Sequence, residues 1–329
     1  MAAPLLTTKL YIPPIRPELV PRPRLIEQLN AALDRRLTLV SAPAGYGKTT
    51  LISAWLHAAD VPFAWLSLDE GDNDPVRFFT YLIAALQGID VEIGHSVQGW
   101  LEAPKPPAIE ELAATLINDI AAVPGSFVLV LDDHHVITER AIHEAISFLL
   151  ERQPPQMHLV MATRHDPPVP LARFRARGEL IELRQSDLCF TTEEAAVFLT
   201  QSLGLNLSAS EVALLGEHTE GWIAGLQLAG LSMQGRDAES VALFIGEFSG
   251  RHHFILDYLT DEVLKRQAEP VQEFLLQTSI LDRMCGPLCD AVVDQGAGLD
   301  GVGGRDGQSV LESLQQANLF VVPLDDERR

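Results

Sequence analysis

Cysteine is scarce in this sequence, which has only Cys189, Cys285 and Cys289 among its 329 residues. The number is odd, and no second ligand pair lies near Cys285 and Cys289, so neither a disulfide framework nor a zinc-site spacing is present. No apolar run approaches the ~20 residues that a membrane-spanning helix needs. The N-terminus also lacks the basic and apolar segments of a secretory signal. We therefore expect reduced thiols, a cytoplasmic location and no membrane partner.

Positive charge is also in short supply. The sequence has 24 lysines and arginines against 45 aspartates and glutamates, which gives a formal net charge of −21. A surface of this sign repels a phosphate backbone, so the chain alone is a poor nucleic-acid binder. Aromatic residues make up only 6%, whereas hydrophobic residues reach 47%. This balance is typical of a globular protein and excludes a disordered chain.

Five short apolar runs alternate with helical stretches after an extended arm rich in Pro and Arg at residues 1–24 and a helix at 25–35. The runs are Leu37–Ser41, Phe63–Leu68, Phe127–Leu131, His158–Ala162 and Leu180–Leu183. Uninterrupted apolar strands separated by helices are typical of a parallel sheet covered on both faces. The sequence therefore predicts an α/β fold with a five-stranded parallel sheet.

Helix signals accompany and then replace the strand signals. Asp74 precedes Pro75 and a run of apolar residues at helical spacing, which predicts an N-cap and the first position of a helix. After about residue 190 no further strand pattern appears until the end of the chain. Thr191–Glu194 has the sequence of a capping box, and residues 209–234 and 254–266 have helical spacing. The second half is therefore expected to be mainly helical.

The strongest chemical signal is the segment Ala42-Pro-Ala-Gly-Tyr-Gly-Lys-Thr49, which follows an apolar strand and opens a helix. It differs from the phosphate-loop pattern G-x-x-x-x-G-K-S/T only in its first residue. Its glycines permit a tight turn, so that backbone N–H groups can face phosphates. Lys48 is expected to reach the β- and γ-phosphates and Thr49 to bind Mg²⁺. The predicted nucleotide contacts are Pro43, Ala44, Gly45, Tyr46, Gly47, Lys48, Thr49 and Thr50. The alternative is a strand-to-helix turn with a surface lysine.

A second motif, Phe127-Val-Leu-Val-Leu-Asp-Asp133, is an apolar strand that ends in two carboxylates. Next to the phosphate loop, such a strand is expected to place Asp132 on the Mg²⁺ ion, usually through water. Asp133 is then the residue expected to orient or deprotonate the attacking water. The alternative for both residues is a helix N-cap after a buried strand.

Arginines supply a third signal. Arg164 follows the strand His158–Thr163, where its guanidinium could contact the γ-phosphate and sense its loss. A surface salt bridge is the alternative. Arg173, Arg175 and Arg177 form a further run, in which one residue could contact phosphate although solvated positions are favoured.

Taken together, these motifs resemble the N-terminal ATPase region of the MalT-like, LuxR-type large ATP-binding regulators, which belong to the STAND class of signal-transducing NTPases. The resemblance covers nearly the whole chain, and Ala42 is normal in that family. The phrases that carry it are Thr8–Leu10, Val40–Thr50, Trp65–Asp74, Glu220–Ala229, Phe274–Asp282 and Ala317–Asp325.

The resemblance implies a nucleotide-binding domain at 25–188 behind the arm at 1–24. A helical arm domain at 189–250 and a winged-helix domain at 251–329 are expected to follow, and the winged helix is expected to pack on the nucleotide domain instead of reading DNA. The family's effector-sensing repeats and C-terminal helix-turn-helix do not occur in this sequence, so we expect a part of a longer regulator.

The same resemblance adds residues to the site. Arg22 corresponds to an arm residue that contacts nucleotide, and Arg164 to the sensor at a strand end. Trp222 lies where the helical arm approaches adenine in related proteins, and a buried tryptophan that only packs the helices is an alternative favoured at least as strongly.

The leading hypothesis is a regulatory switch that uses ATP, ADP and Mg²⁺. ADP is expected to hold a closed monomer, ATP and an effector to favour a self-associating state, and slow hydrolysis to reset it. Effector and DNA are expected to bind only through domains outside this chain. A small-molecule phosphotransferase that uses the same loop is the alternative, and a DNA-processing ATPase is disfavoured by the charge.

Overall fold

A computed structural model of the chain describes residues 5–15, 18–101, 109–248, 253–281, 283–293 and 306–316. The chain divides into two compact units, of which the first comprises residues 1–42 and 46–189 and the second residues 43–45 and 190–329. No helix among the described residues is both long and apolar enough to cross a membrane.

The first unit is built on one sheet of parallel strands in the order β2-β3-β4-β1-β5. The strands are β1 (Leu37–Ser41), β2 (Phe63–Ser67), β3 (Phe127–Asp132), β4 (Met157–Thr163) and β5 (Leu180–Arg184). The three central strands β1, β3 and β4 are buried along their whole length, because helices cover both faces of a sheet of this kind. The predicted α/β fold with a five-stranded parallel sheet is confirmed, and each predicted run coincides with a strand to within a residue or two.

The strand that ends in Asp132 is not the neighbour of the strand that leads into the phosphate loop, contrary to the expectation from the sequence. Strand β4 pairs with β1 on one side, with Ser41 opposite Thr163, and with β3 on the other side. Strand β3, which ends in Asp132, is therefore one strand removed from β1 and the loop that follows it. Because all the strands are parallel, their carboxyl ends still lie at one edge of the sheet. Arg164, the residue after β4, therefore follows a strand that lies between β1, which leads into the phosphate loop, and β3, which ends in Asp132.

Helices cover the sheet of the first unit. They are α1 (Pro23–Ala31), α2 (Lys48–Ala58), α3 (Pro75–Leu86), α4 (His95–Leu101), α5 (Ile109–Ala121), α6 (Arg140–Glu151), α7 (Leu171–Ala176) and α8 (Gln185–Leu188). Asp74 caps α3 as expected, since its side chain accepts a hydrogen bond from Arg77 N–H at 2.8 Å and Pro75 is the first helical residue. Large apolar side chains from the helices and strands form one core, including Phe78, Phe79 and Phe127.

The N-terminal arm is not extended throughout, because Thr7–Leu10 forms a 3₁₀ turn that is held by a buried lysine. The ammonium group of Lys9, which is 6% exposed, forms ion pairs with the fully buried Asp72 and with Asp69. It also lies 4.4 Å from the ring centroid of Tyr81. Arg77 pairs with the same two aspartates from the side of α3. Two cations thus compensate a carboxylate that would otherwise be costly to bury.

The described part of the second unit outside residues 43–45 is helical, as the sequence predicts. Its helices are α9 (Thr192–Val197), α10 (Ala209–Thr219), α11 (Ile223–Met233), α12 (Ala238–Glu247), α13 (His253–Glu262), α14 (Glu269–Thr278), α15 (Gly286–Val293) and α16 (Gly307–Gln316). The predicted capping box is present, with Thr191 and Glu194 bonded reciprocally at the start of α9. Helices α10 and α11 are separated because Glu220 and Gly221 both have positive φ. The phrase at residues 317–325 lies outside the described residues.

Candidate nucleotide-binding site

The loop after β1 has the backbone that a phosphate cradle requires. Gly45 and Gly47 have φ angles of 83° and 74°, in the left-handed region that glycine adopts without strain. Gly47 is the N-cap of α2, so the helix begins at Lys48. The first N–H groups of a helix lack partners within it and carry the positive end of its dipole. The turn therefore presents donors and positive potential where a phosphate group is expected.

Lys48 lies inside this loop and is only 8% exposed. Its ammonium group donates a hydrogen bond to the carbonyl oxygen of Ala42 at 2.8 Å. Burial and the neighbouring charge of Arg164 lower the pKa of Lys48 to about 8, whereas Asp133 and Asp132 act in the opposite direction. A pKa of this size leaves the lysine mainly charged at pH 7. The surface-lysine alternative is thus inconsistent with its burial.

Thr49 and Asp132 meet at the carboxyl edge of the sheet. The Thr49 hydroxyl lies 3.1 and 3.0 Å from the two carboxylate oxygens of Asp132, which is 3% exposed. Burial and the charge of Asp133 raise the pKa of Asp132 to about 7, while the bond from Thr49 and the charge of Lys48 lower it. Binding of a divalent cation would compensate the free-energy cost of burying the charged Asp132 carboxylate.

These two side chains are suited to Mg²⁺, which takes oxygen ligands and is commonly held by one or two carboxylates, waters and substrate phosphates. Within the described residues, no group of three or more His, Cys, Asp or Glu side chains is arranged to hold a metal ion. A metal bound by Thr49 and Asp132 would therefore need phosphate and water to complete its coordination.

Asp133 has an unusual backbone for a residue with a side chain, with φ 56° and ψ 34°. It occupies the N-cap position of the 3₁₀ turn His134–Val136, but its side chain makes no capping hydrogen bond. The side chain is 49% exposed, and its Oδ1 lies 3.8 Å from Nδ1 of His135. The N-cap alternative is therefore not supported for the Asp133 carboxylate.

Arg164 follows the last residue of β4 at the carboxyl edge of the sheet, and its charge contributes to the lowered pKa of Lys48. The arginine run farther along is different. Its members lie against carboxylates, with Arg173 at 2.5 Å from Glu151, Arg175 at 2.7 Å from Glu182 and Arg177 at 4.0 Å from Glu179. These arginines are half-exposed, in agreement with the solvated alternative.

The arm residue Arg22 is buried, at 8% exposure, just before α1. Its guanidinium donates to the carbonyl oxygens of Cys189 and Asp187, at 2.9 and 3.4 Å. Arg22 is thereby fixed to the segment that follows β5. Its predicted role in nucleotide contact stays a prediction.

Two contacts of the loop were not anticipated from the sequence. The first joins the Tyr46 hydroxyl to the amide nitrogen of Gln185 at 2.8 Å. Gln185 opens α8 directly after β5, and no sequence pattern relates it to the phosphate loop. The bond fixes the tyrosine side chain, which is 8% exposed, between the two glycines of the turn.

The second unanticipated contact lies within the second unit, to which residues 43–45 belong. The indole N–H of Trp222 donates to the carbonyl oxygen of Ala44, and the backbone N–H of Ala224 donates to that of Gly45, both at 3.0 Å. A Cβ atom on Gly45 would lie 2.6 Å from Cβ of Ala224. Within the second unit, Trp222 is therefore bonded to the backbone at Ala44, and Gly45 is needed both for its φ and for the close approach of Ala224.

Comparison with known proteins gives related sequences over almost the whole chain. The family described as the MalT winged helix domain matches residues 260–329. The chain is 37% identical over 325 residues to the HTH-type transcriptional regulator MalT of Yersinia enterocolitica, and 36% identical over 327 residues to that of Cronobacter sakazakii. Each match covers 98% of this chain and 35% of the relative. The chain thus spans about a third of the length of these relatives.

Solved structures agree on the fold. The Walker-type ATPase of Pyrococcus abyssi has a TM-score of 0.61 at 15% identity, covering 95% of this chain and 93% of that one. A STAND protein with a tetratricopeptide repeat sensor from Pyrococcus horikoshii has a TM-score of 0.54 at 16% identity, covering 96% and 41%. At such low identities these matches show the fold alone.

Proposed function

From the premise that this chain is homologous to the MalT-like regulators and has a P-loop ATPase fold, we propose that it is the nucleotide-operated switch of a transcriptional regulator. It binds ATP or ADP with Mg²⁺, and slow hydrolysis returns an ATP-bound, self-associating state to an ADP-bound monomer. Slow turnover suffices, because the nucleotide only has to bias an equilibrium between two states.

One observation carries the proposal: the buried Lys48 and the buried Asp132, which is bonded to the partly exposed Thr49, lie at the carboxyl edge of a parallel sheet, at the N-terminus of α2. Parallel α/β sheets bind ligands at this edge, and helix N-termini favour anions. A small-molecule phosphotransferase would share the loop, but the arginine run proposed to serve its substrate forms exposed ion pairs instead.

The residues divide the work by position and charge. Lys48 and the N–H groups of the loop hold the phosphates, with Thr49 and Asp132 as the ligands of Mg²⁺, which would neutralise phosphate charge when bound. Arg164 stabilises charge on the terminal phosphate, and Asp133 orients or deprotonates the attacking water. Arg22, Tyr46 and Trp222 fix the loop and the nucleotide around them.

We propose the domain limits 1–24, 25–188, 189–250 and 251–329 for the arm, nucleotide-binding, helical-arm and winged-helix domains. The homology to transcriptional regulators supports a cytoplasmic location. We assign effector and DNA recognition to parts of the regulator outside this chain. The chain matches about a third of the length of the MalT relatives. The partner of the chain itself is a second copy in the ATP state.

Sedimentation velocity of the chain with Mg²⁺ and either ADP or a non-hydrolysable ATP analogue tests the switch. We expect a monomer with ADP and a larger species with the ATP analogue, because only the latter supplies a γ-phosphate for Arg164 to contact. The ATP-dependent species should be lost in the Lys48→Ala variant. Identical sedimentation with both nucleotides, when both are bound, contradicts the proposed switching.

We expect no sequence-specific duplex binding by this chain, even though its relatives are transcriptional regulators. Each phosphate contact requires a cation, and 24 basic residues against 45 acidic ones create a field that opposes approach. A gel-shift titration at low salt, where attraction is strongest, is the most permissive measurement. Tight shifts that depend on the DNA sequence would contradict the assignment of DNA recognition to other domains.

A further inference from the structure

The side chain of Asn73 joins the loop after β2 to the segment that follows the two aspartates of β3. Its Nδ2 donates to the carbonyl oxygens of Glu70 at 3.0 Å and Val136 at 2.9 Å. Its Oδ1 accepts from the backbone N–H groups of Thr138 at 2.7 Å and Glu139 at 2.9 Å, and from the Thr138 hydroxyl at 3.1 Å. A single amide thus makes five hydrogen bonds across two loops.

The chemistry of these partners fixes the orientation of the amide. Two carbonyl oxygens face one end of it and two backbone N–H groups face the other, so a rotated amide would set donors against donors. An asparagine satisfies both ends at once. An aspartate has the same shape but lacks the donor end, and it would set a carboxylate oxygen against the carbonyls of Glu70 and Val136.

The segment held in this way begins at Asp133. The N–H of Val136 bonds to the carbonyl of Asp133 and that of Ile137 to the carbonyl of His134, each at 3.1 Å, which closes the 3₁₀ turn. Asp133 enters this turn in the left-handed conformation, which is strained for most residues other than glycine and persists where its surroundings impose it. Asn73 bonds to the far end of the turn and so helps to impose it.

The position of Asn73 depends in turn on the loop after β2. This residue ends the 3₁₀ turn Glu70–Asn73, which is closed by a capping box between Asp69 and Asp72. Lys9 of the arm and Arg77 of α3 form ion pairs with both of these carboxylates. The position of Asn73 is therefore set by a charged cluster outside the nucleotide site, in which Lys9 and Asp72 are buried.

We propose that Asn73 is a positioning residue for ATP hydrolysis, acting through Asp133. It holds the turn after β3 so that the Asp133 carboxylate keeps its place at the edge of the sheet. The inference deepens and rests on the proposed hydrolysis. It also assigns a role to the phrase Trp65–Asp74, which the phosphate chemistry leaves unused.

The Asn73→Asp variant tests the clamp, because it keeps the shape and reverses the donor end. We expect single-turnover hydrolysis of ATP to slow by about tenfold or more, a part of the effect of losing a water-positioning group, while the dissociation constant for ADP stays within about twofold. In an Asp133→Ala background the same substitution should slow hydrolysis no further, because the two residues act in series.

A matched control exists at the opposite end of the sheet. Gln153 is 6% exposed, and its amide nitrogen donates to the carbonyls of Arg36 and Met157. Gln153→Glu therefore makes the same change of chemistry in the same unit, and we expect it to lower thermal stability without slowing hydrolysis. Equal slowing in both variants would overturn the proposal, since a general loss of stability would then explain it.

Amide hydrogen exchange gives a readout that does not depend on hydrolysis. We expect the N–H groups of Val136 and Ile137 to exchange faster in Asn73→Asp than in the unsubstituted chain, with no change in the Gln153→Glu variant. Unchanged exchange overturns the clamp. Faster exchange with unchanged hydrolysis overturns its action through Asp133. Absence of hydrolysis in the unsubstituted chain would count against the proposed function, and the exchange result would still decide whether Asn73 holds the turn.

Discussion

Replacing Lys48 with alanine is expected to abolish the binding of ATP and ADP, with the dissociation constant rising by roughly a hundredfold or more. The ammonium group is buried within the loop, where a charge-assisted bond to phosphate is stronger than at an exposed site. Its present partner is the carbonyl of Ala42 at 2.8 Å, so the group already lies in the turn. Isothermal calorimetry with Mg²⁺ and ADP measures the change directly.

Lys265→Ala is the matched control for this experiment. Lys265 forms an exposed ion pair with Asp261 one helical turn away, at 2.7 Å. Such pairs contribute little to stability, and removing this one should leave nucleotide affinity unchanged. Thermal unfolding of both variants shows whether they remain folded. Equal ADP affinity in Lys48→Ala and the unsubstituted chain would contradict the assignment of this loop to phosphate binding.

Replacing Asp133 with alanine is expected to slow single-turnover hydrolysis of ATP by about 10²–10⁴-fold, the usual contribution of a general base or water-positioning group. Binding of ATP should change little, because the phosphate contacts are assigned to the loop and to Lys48. The carboxylate is half-exposed and makes no capping bond, so its loss should not open the turn. Rapid-quench measurement at saturating ATP separates the chemical step from binding.

Two further variants make this result specific. Asp133→Asn keeps a side chain that tolerates the left-handed conformation, so slow hydrolysis in both variants identifies the carboxylate charge as the cause. Asp237→Ala removes an exposed N-cap of α12, which accepts from Ser240 N–H at 2.8 Å, and should not affect hydrolysis. Unchanged hydrolysis in Asp133→Ala would return the catalytic role to Asp132 or Arg164.

The strands could be predicted from the sequence because their burial is continuous and local. Leu37–Ser41 and Phe127–Asp132 are mainly apolar runs in which every residue is buried, and such runs can be recognised in a single sequence. Their order could not be predicted, because a periodic pattern carries no information about which strand pairs with which. Only the structure shows that β4 lies between β1 and β3. The Thr49 hydroxyl nevertheless bonds to the Asp132 carboxylate at the carboxyl ends of the strands.

The phosphate loop could be predicted because consecutive residues supply its donors, its lysine and its hydroxyl. The supporting contacts could not. Gln185 lies 139 positions from Tyr46, and Asn73 lies 63 positions from Val136. Trp222 was expected near adenine through a resemblance, and its bond to the carbonyl of Ala44 depends on how the backbone turns at Gly221. Contacts of this kind arise from tertiary packing, for which a single sequence gives no local signal.

The docking of Lys9 also bears on where fragments of this protein should start. Because it is rich in proline, the arm before α1 resembles a segment that could be removed to obtain a more compact domain. Trimming it would delete one of the two counter-charges of Asp72, a carboxylate with no exposed surface. The shortened product would then carry an ion-pairing defect in its interior, close to the turn that Asn73 ends. Fragments for biochemical work should therefore begin at or before Leu5. If a fragment that begins after Lys9 is produced in low yield, the loss of the Lys9–Asp72 ion pair explains it without any defect in the nucleotide site.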